Sequence, residues 1–195
     1  MPNCSCRQIY PQTGELFFTC TNNSRCEESN VANPRVDNAH GHIIWLIDAD
    51  NDAGSDAFSW DFFVLAGAGD GTDGSTLDPE DLFGSPDGLV IDSRGVMWIQ
   101  TDGGQPDGSN NQMLACDLTT GEIRRFLVGP NDCEVTGVAL TPDRSTIFIN
   151  IQHPGDDGTA DDPTATSTWP DGADATLPRP ATVAIRRIDN QMIGT

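Results

Sequence analysis

The sequence predicts an all-β protein built from a repeated four-stranded unit. Composition is the first observation, because hydrophobic residues make up 36% of the 195-residue chain while 20 glycines and 13 prolines provide many turns. That balance is typical of short strands joined by turns. Periodicity is the second, since no window repeats apolar residues at the helical spacing of 3.6 for a dozen residues. The third observation is an internal repeat, which sets the architecture.

Three segments of the chain align on one another as β-hairpins. They are "IYPQTGELFFTCTNN" from Ile9, "VIDSRGVMWIQTDGG" from Val90 and "ALTPDRSTIFINIQHPG" from Ala139. Each has a short apolar strand, a turn rich in Pro, Asp, Ser or Gly, and a second strand with aromatic and β-branched residues. Each segment ends in a cluster of polar residues, so the polar clusters belong to equivalent places in the repeat.

A second pair of strands is predicted after each hairpin. These pairs lie at 42–67, at 112–129 and, in the third unit, at 182–195, where the sequence stops within the pair. Four-stranded units that recur every 40–50 residues, apart from inserted loops, are typical of β-propeller blades. We therefore predict a partial β-propeller of about three four-stranded blades, forming one domain over 1–195. An immunoglobulin-like sandwich would not repeat such a module.

Blade geometry predicts which polar side chains meet. The chain enters and leaves an antiparallel hairpin at the same end, so the residues that flank the two inner strands share one face of the disc. On this argument Asn22, Asp87, Asp102 and Glu134 converge near the central channel, with Asn23 beside them. Carboxylate and amide oxygens gathered in this way suit a calcium ion.

Turn chemistry is the alternative explanation for most of these residues. Asp in Pro-Asp-Gly and Thr-Asp-Gly, and the Asn-Asn pair, are common turn formers. Glu134, within "GPNDCEVTG", is not, and this favours a functional role for it. His153 is a further candidate as a ligand or proton donor, although a lone loop histidine is more often neither. Cys133 is a candidate soft ligand for iron, although a small buried residue is the commoner role.

The charge balance favours cations over anions as partners. With 30 acidic and 10 basic residues the net charge is −20, which repels phosphate backbones and anionic lipid. Neither nucleic acid nor membrane is therefore expected as a partner, and solubility in salty surroundings explains the charge equally well. The six cysteines form no C-x-x-C pair, which argues against zinc. Cys20 and Cys26 are the nearest candidates for a disulfide. No signal peptide is visible in the sequence.

Long collinear stretches of the chain resemble a known family. Among them are "GELFFTCTNNSR", "FGSPDGLVIDSRGVMWIQTDG", "NNQMLACDLTTGEIRRFLVGPNDCEVTG" and "RPATVAIRRIDNQMIG". These resemble the PhoX-type secreted alkaline phosphatases, from about Ile9 to the end of the sequence. The resemblance implies a six-bladed propeller that hydrolyses small phosphate monoesters with an iron pair (Fe³⁺) and calcium ions (Ca²⁺) at one end of the channel. It also implies export in folded form to the periplasm or beyond.

The resemblance assigns roles to several residues. The family's metal-binding glutamate in the motif Cys-Glu-x-Thr-Gly corresponds to Glu134, and the acidic residues of the Pro-Asp-Gly and Thr-Asp-Gly loops correspond to Asp87 and Asp102. An oxo group that bridges the metals is proposed to attack phosphorus in this family. The basic residue that binds phosphate is not assigned, and its candidates are Arg25, Arg35 and Arg179.

The chain also departs from the family pattern. The family has an Arg-Pro-Glu stretch before the first matched strand, but this sequence reads "PNCSCRQIYPQTG", with Ser or Cys in place of a metal-binding glutamate. We expect a C-terminal portion of a phosphatase, with the missing N-terminal blades as a partner and with open blade edges that favour aggregation. A calcium-dependent propeller lactonase or arylesterase, and a non-catalytic calcium-binding remnant, remain alternatives.

One insertion is predicted to form part of the active face. Residues 155–180 are rich in Asp, Thr, Ala and Pro, which is typical of a flexible acidic loop. Within it, Trp169-Pro170 is the expected anchor on the disc.

Overall fold

The computed structural model describes residues 4–69 and 74–194. Within these ranges the chain forms three antiparallel sheets, one after another in sequence. The first contains β1 (Cys4–Ile9), β2 (Leu16–Cys20), β3 (His42–Asp48) and β4 (Phe58–Leu65). The second contains β5 (Pro86–Ile91), β6 (Val96–Thr101), β7 (Gln112–Asp117) and β8 (Ile123–Val128). The third contains β9 (Glu134–Leu140), β10 (Thr146–Gln152) and β11 (Ala181–Arg186).

The predicted all-β repeat is confirmed. Strands follow one another as neighbours in each sheet, and the helical structure in the described ranges is limited to two 3₁₀ turns, at Ala49–Asn51 and Gly172–Asp174. Two of the three units have the four strands predicted for them. The third sheet has three strands in the described part of the chain, so the prediction of four-stranded blades holds for the first two units.

The turn between β5 and β6 shows why the hairpins form where they do. Gly95 donates its backbone N–H to the carbonyl of Asp92, which closes the turn. Gly95 has a φ of 86°, and a Cβ at this position would lie 2.5 Å from the Tyr10 hydroxyl. Both the left-handed backbone and the close approach of the first sheet therefore require glycine here.

Two apolar clusters hold the three sheets together. The cluster between the first and second sheets includes Phe17, Ile43 and Met97, all buried. The cluster between the second and third sheets is built around the fully buried Trp98, which lies edge-on to Phe126 with ring centroids 5.0 Å apart. Strand β5 contacts β1 on one side and β9 on the other. The first strands of successive sheets therefore lie next to one another, as the innermost strands of neighbouring blades do.

The connections on the two faces of the disc differ in length. Because every hairpin is antiparallel, alternate connections lie on opposite faces. The connections on one face are 10–15, 49–57, 92–95, 118–122 and 141–145. Those on the other face are 21–41, 66–85, 102–111, 129–133 and 153–180. Four of the five connections on the second face are longer than any on the first, and this long-loop face carries the candidate site residues.

The candidate disulfide between Cys20 and Cys26 is not formed. Cys26 carries a free thiol, which donates to the carbonyl oxygen of Glu28 at 2.8 Å. None of the helices in the described residues has the length and apolarity needed to cross a bilayer.

Candidate metal centre

Strand ends on the long-loop face carry the predicted carboxylates. Asp87 is the second residue of β5, Asp102 directly follows β6, and Glu134 is the first residue of β9. The strand register pairs Pro86 with Thr101 and Glu134 with Gln152, so each hairpin opens at this face. These residues therefore lie at the end of their strands that the order of strands and turns predicts.

Three side chains converge at the centre of this face. One ligand atom from each of Asp102, Glu134 and His153 lies within 4.8 Å of the others. His153 Nε2 is 3.6 Å from Glu134 Oε2, and Gln152 Nε2 donates to that same oxygen at 2.6 Å. Two carboxylates and an imidazole at this separation form a group that can hold a metal ion.

The electrostatics of the group are those of crowded carboxylates. Burial raises the pKa of Glu134, and the negative charges of Asp102 and Asp87 raise it further, while His153 acts in the opposite direction. Burial and the charge of Asp87 likewise raise the pKa of Asp102. A cation placed among these side chains would relieve the repulsion and stabilise the ionised carboxylates.

Asp87 lies close enough to act on both other carboxylates, and it is held in place from the first sheet. The Thr21 hydroxyl donates to Asp87 Oδ1 at 3.0 Å. Thr19 donates to the backbone carbonyl of Asp87 at 2.7 Å. Asn22, the fourth predicted ligand, is half-buried and directly follows Thr21. It is therefore adjacent in the chain to the residue that binds Asp87.

His153 belongs to this group in the structure, although loop histidines are more often neither ligands nor proton donors. Its backbone has a positive φ of 36°, and its buried Nδ1 has no hydrogen-bond partner among the described residues. A usable signal was present in the repeat, because His153 follows β10 as Asp102 follows β6 and Thr21 follows β2. The position of His153 in the repeat therefore predicts that it lies at the same end of its hairpin as Asp102.

A pocket of about 340 Å³ opens beside the group. Asp102, His153, Asn111 and Cys133 contribute to its lining, with Asp156 at its rim. Burial raises the pKa of the Cys133 thiol to about 12. Cys133 therefore remains a protonated thiol in the absence of a metal, as expected of a small buried residue.

The three candidate arginines differ in their surroundings. Arg35 donates to the backbone carbonyl oxygens of Ala66, at 2.6 Å, and Gly41. Arg179 pairs with Asp171 inside the acidic insertion. Arg25 is exposed on the long-loop face. Arg35 thus has a structural role in joining two loops, and Arg179 is engaged within its own loop.

The acidic insertion is fixed to the disc at several points. Asn131 donates to the carbonyl of Thr166 at 2.9 Å, and Ser167 is buried. Trp169 packs against the cluster between the second and third sheets, as its predicted role as an anchor requires. A groove of about 360 Å³ lined in part by Leu177 and Pro178 runs from His153 along this insertion.

Comparison with known proteins identifies the family. The family model described as alkaline phosphatase PhoX matches residues 5–155. The chain belongs to the PhoX alkaline phosphatase family. No curated protein gives a significant match. Among solved structures, Pseudomonas fluorescens PhoX in complex with vanadate, a transition state analogue, is 40% identical to this chain and superposes with a TM-score of 0.91.

The same comparison shows how much of a PhoX protein is present. The match covers 100% of this chain and 35% of the P. fluorescens PhoX chain, so the chain spans about a third of that protein's length. The sequence prediction of a PhoX-type protein is confirmed. PhoX phosphatases are metal-dependent, and Asp102, Glu134 and His153 form a group that can hold a metal ion.

Proposed function

We propose that this chain provides part of a metal centre that hydrolyses phosphate monoesters and releases inorganic phosphate. The observation that carries the proposal is the convergence of Asp102, Glu134 and His153 within 4.8 Å, in a chain of the PhoX family. The P. fluorescens relative binds vanadate, a transition state analogue. Phosphate esters are therefore the substrate class proposed here, and export to the periplasm or beyond is proposed by the same family relationship.

The proposed metals are Fe³⁺ and Ca²⁺, and the side chains present fit them. The imidazole of His153 suits iron and is an unusual ligand for calcium, whereas the carboxylates of Asp102 and Glu134 suit either ion. Asp87 and the amide of Asn22 would add oxygen ligands on the calcium side. The buried Nδ1 of His153 and the raised pKa values of Asp102 and Glu134 support this fit. When bound, such ions generate the nucleophile and screen the charge of the transferring phosphoryl group.

The chain's own residues set up this centre. Gln152 holds Glu134 by a hydrogen bond to Oε2, the oxygen that lies 3.6 Å from His153 Nε2. Thr21 orients Asp87 in the same way. The net charge of −20 attracts cations but repels a phosphate dianion. We therefore expect substrate to bind only after the carboxylates have taken up cations.

Hydrolysis of p-nitrophenyl phosphate tests the proposal. The chain is freed of metal with a chelator and assayed with Fe³⁺ and Ca²⁺ restored, beside Glu134→Gln, His153→Ala and the exposed control Glu80→Gln. We expect the wild type to release phosphate only with metal present, and vanadate to inhibit this activity. The activity should fall at least a hundredfold in both site variants and remain unchanged in Glu80→Gln. Equal activity in Glu134→Gln and wild type would refute the assigned site. Lactone hydrolysis with calcium alone would instead favour the lactonase alternative.

The longer relative points to a partner for this segment. P. fluorescens PhoX is about three times as long as this chain, and we propose that further blades complete the ring around the metal centre. If activity appears only when a segment matching the remaining length of that relative is added, the partner is required. Full activity in the chain alone would contradict that requirement.

A further inference from the structure

One amide side chain connects the two loops that carry the central carboxylates. Asn111, just before β7, accepts hydrogen bonds at Oδ1 from the backbone N–H of Gly103 at 3.1 Å and from the Thr101 hydroxyl at 2.8 Å. Its Nδ2 donates to the carbonyl of Cys133 at 2.7 Å. Thr101 and Gly103 flank Asp102, and Cys133 precedes Glu134. Asn111 therefore fixes the backbone beside both carboxylates at once.

The backbone partners determine the orientation of this amide. The N–H of Gly103 can only donate and the C=O of Cys133 can only accept, so the oxygen must face Gly103 and the nitrogen must face Cys133. An aspartate at this position would turn a carboxylate oxygen toward the Cys133 carbonyl. A side chain with no amide nitrogen therefore cannot make both connections.

A chain of hydrogen-bonded polar side chains fixes Asn111 in place. Gln105, 9% exposed, donates to Asn111 Oδ1 at 3.0 Å, and Gln112, fully buried, donates to Gln105 Oε1 at 3.0 Å. Arg125 in turn donates to Gln112 Oε1 at 2.6 Å. Each member is bound by the next, so Asn111 is fixed before any ligand arrives, as a connected buried network requires.

Such a connection has a specific task at this site. The carboxylates of Asp102 and Glu134 lie within 4.8 Å of each other and carry like charges when both are ionised. Their repulsion opposes the close approach of the backbone segments 101–104 and 133–134. A residue that holds ligand loops together lowers the cost of assembling the ligands around an ion.

We propose that Asn111 is a positioning residue that holds Asp102 and Glu134 at the separation needed for cation binding. The consequence for cations rests on the proposed function. The connection between the two loops does not, since it consists of hydrogen bonds between residues of this chain. The two parts are therefore measured separately.

The connection is tested by hydrogen–deuterium exchange on the full chain in the presence of a chelator. Asn111→Ala should speed exchange in peptides that cover 101–105 and 133–137. The neighbouring Asn110→Ala is the matched control, because Asn110 bonds to Gly129 and Asn131, which lie outside the 101–105 and 133–137 peptides. Asn111→Asp keeps the acceptor for Gly103 and loses the donor to Cys133. It should speed exchange at 133–137 alone, with Asn110→Asp as the control for added charge.

The consequence is tested by titrating the same proteins with Ca²⁺ in a calorimeter. We expect Asn111→Ala to weaken Ca²⁺ binding by on the order of tenfold. The Ca²⁺ affinity of Asn110→Ala should stay within about twofold of that of wild type. The two variants should have similar melting temperatures in the presence of a chelator. Unchanged exchange at both loops in Asn111→Ala overturns the proposal, and so does an equal loss of Ca²⁺ affinity in the two alanine variants. If wild type binds no Ca²⁺, the proposed metal site fails, while the exchange data still decide whether Asn111 joins the loops.

Discussion

Neutralising Glu134 should stabilise the metal-free chain. In the structure a Glu134 oxygen and an Asp102 oxygen lie within 4.8 Å, and two like charges at that distance repel by about 3.5 kcal/mol at an effective dielectric constant near 20. Asp102 is only half-buried, so we take about 2 kcal/mol of this as effective. Glu134→Gln also weakens the hydrogen bond from Gln152, which costs about 1 kcal/mol. The expected net gain in free energy of unfolding is about 1 kcal/mol.

The gain should depend on pH with a definite sign. Burial and Asp102 raise the pKa of Glu134 above its unfolded value, so the folded chain holds this proton more tightly. A raised carboxyl pKa favours the folded state at low pH, and this advantage is lost as pH rises through the folded pKa. Wild type should therefore match Glu134→Gln near pH 4 and fall below it at pH 8.

Urea denaturation at pH 4 and pH 8 in a chelator measures this difference, with the exposed Glu80→Gln as the control for net charge. Adding millimolar Ca²⁺ at pH 8 should reverse the order, because only the wild type retains both central carboxylates. If Glu134→Gln is the less stable protein at pH 8 without metal, the crowded-carboxylate description of this site is incorrect.

Three other substitutions test the fold around the site. Burial alone would raise the pKa of Asp92, but the hydrogen bonds and charge of Arg94 hold it below its usual range. Asp92→Asn should therefore lower the free energy of unfolding by about 2 kcal/mol at pH 7 and by progressively less below about pH 4. Thermal melts measure this loss. Gly95→Ala should cost about 2 kcal/mol in the same melts, because its positive φ and close packing exclude a Cβ; an unchanged midpoint would contradict this. Trp169→Ala should release the 155–180 insertion, so limited proteolysis should cut there faster than in wild type. Equal cleavage rates would mean that Trp169 is not the anchor.

Much of the fold follows from local sequence signals. Turns such as "DSRG" at 92–95 interrupt apolar runs at regular intervals, and the alternating isoleucines of β10 mark one buried face of that strand. Because hairpin strands are antiparallel, the end at which Asp102 and Glu134 lie follows directly from the order of strands and turns. These features depend on near neighbours in the chain and are therefore visible in the sequence.

The remaining features depend on contacts between distant residues. His153 enters the site through a loop with positive φ. Arg35 binds backbone carbonyls in two loops, and Asn111 bonds to partners on both sides of it in sequence. Cys20 and Cys26 are candidate disulfide partners on sequence proximity alone, whereas in the structure the Cys26 thiol donates to the carbonyl of Glu28. In each case the residue type permits several roles, and only the packing of separate loops selects one.

Metal content measured by plasma mass spectrometry tests the central claim most directly. The chain is purified without chelator beside Glu134→Gln and Glu80→Gln, and iron and calcium are counted per chain. The proposed metal centre predicts that both metals co-purify with wild type and Glu80→Gln and fall together in Glu134→Gln. Metal contents that are equal in all three proteins, or near zero in wild type, would contradict it.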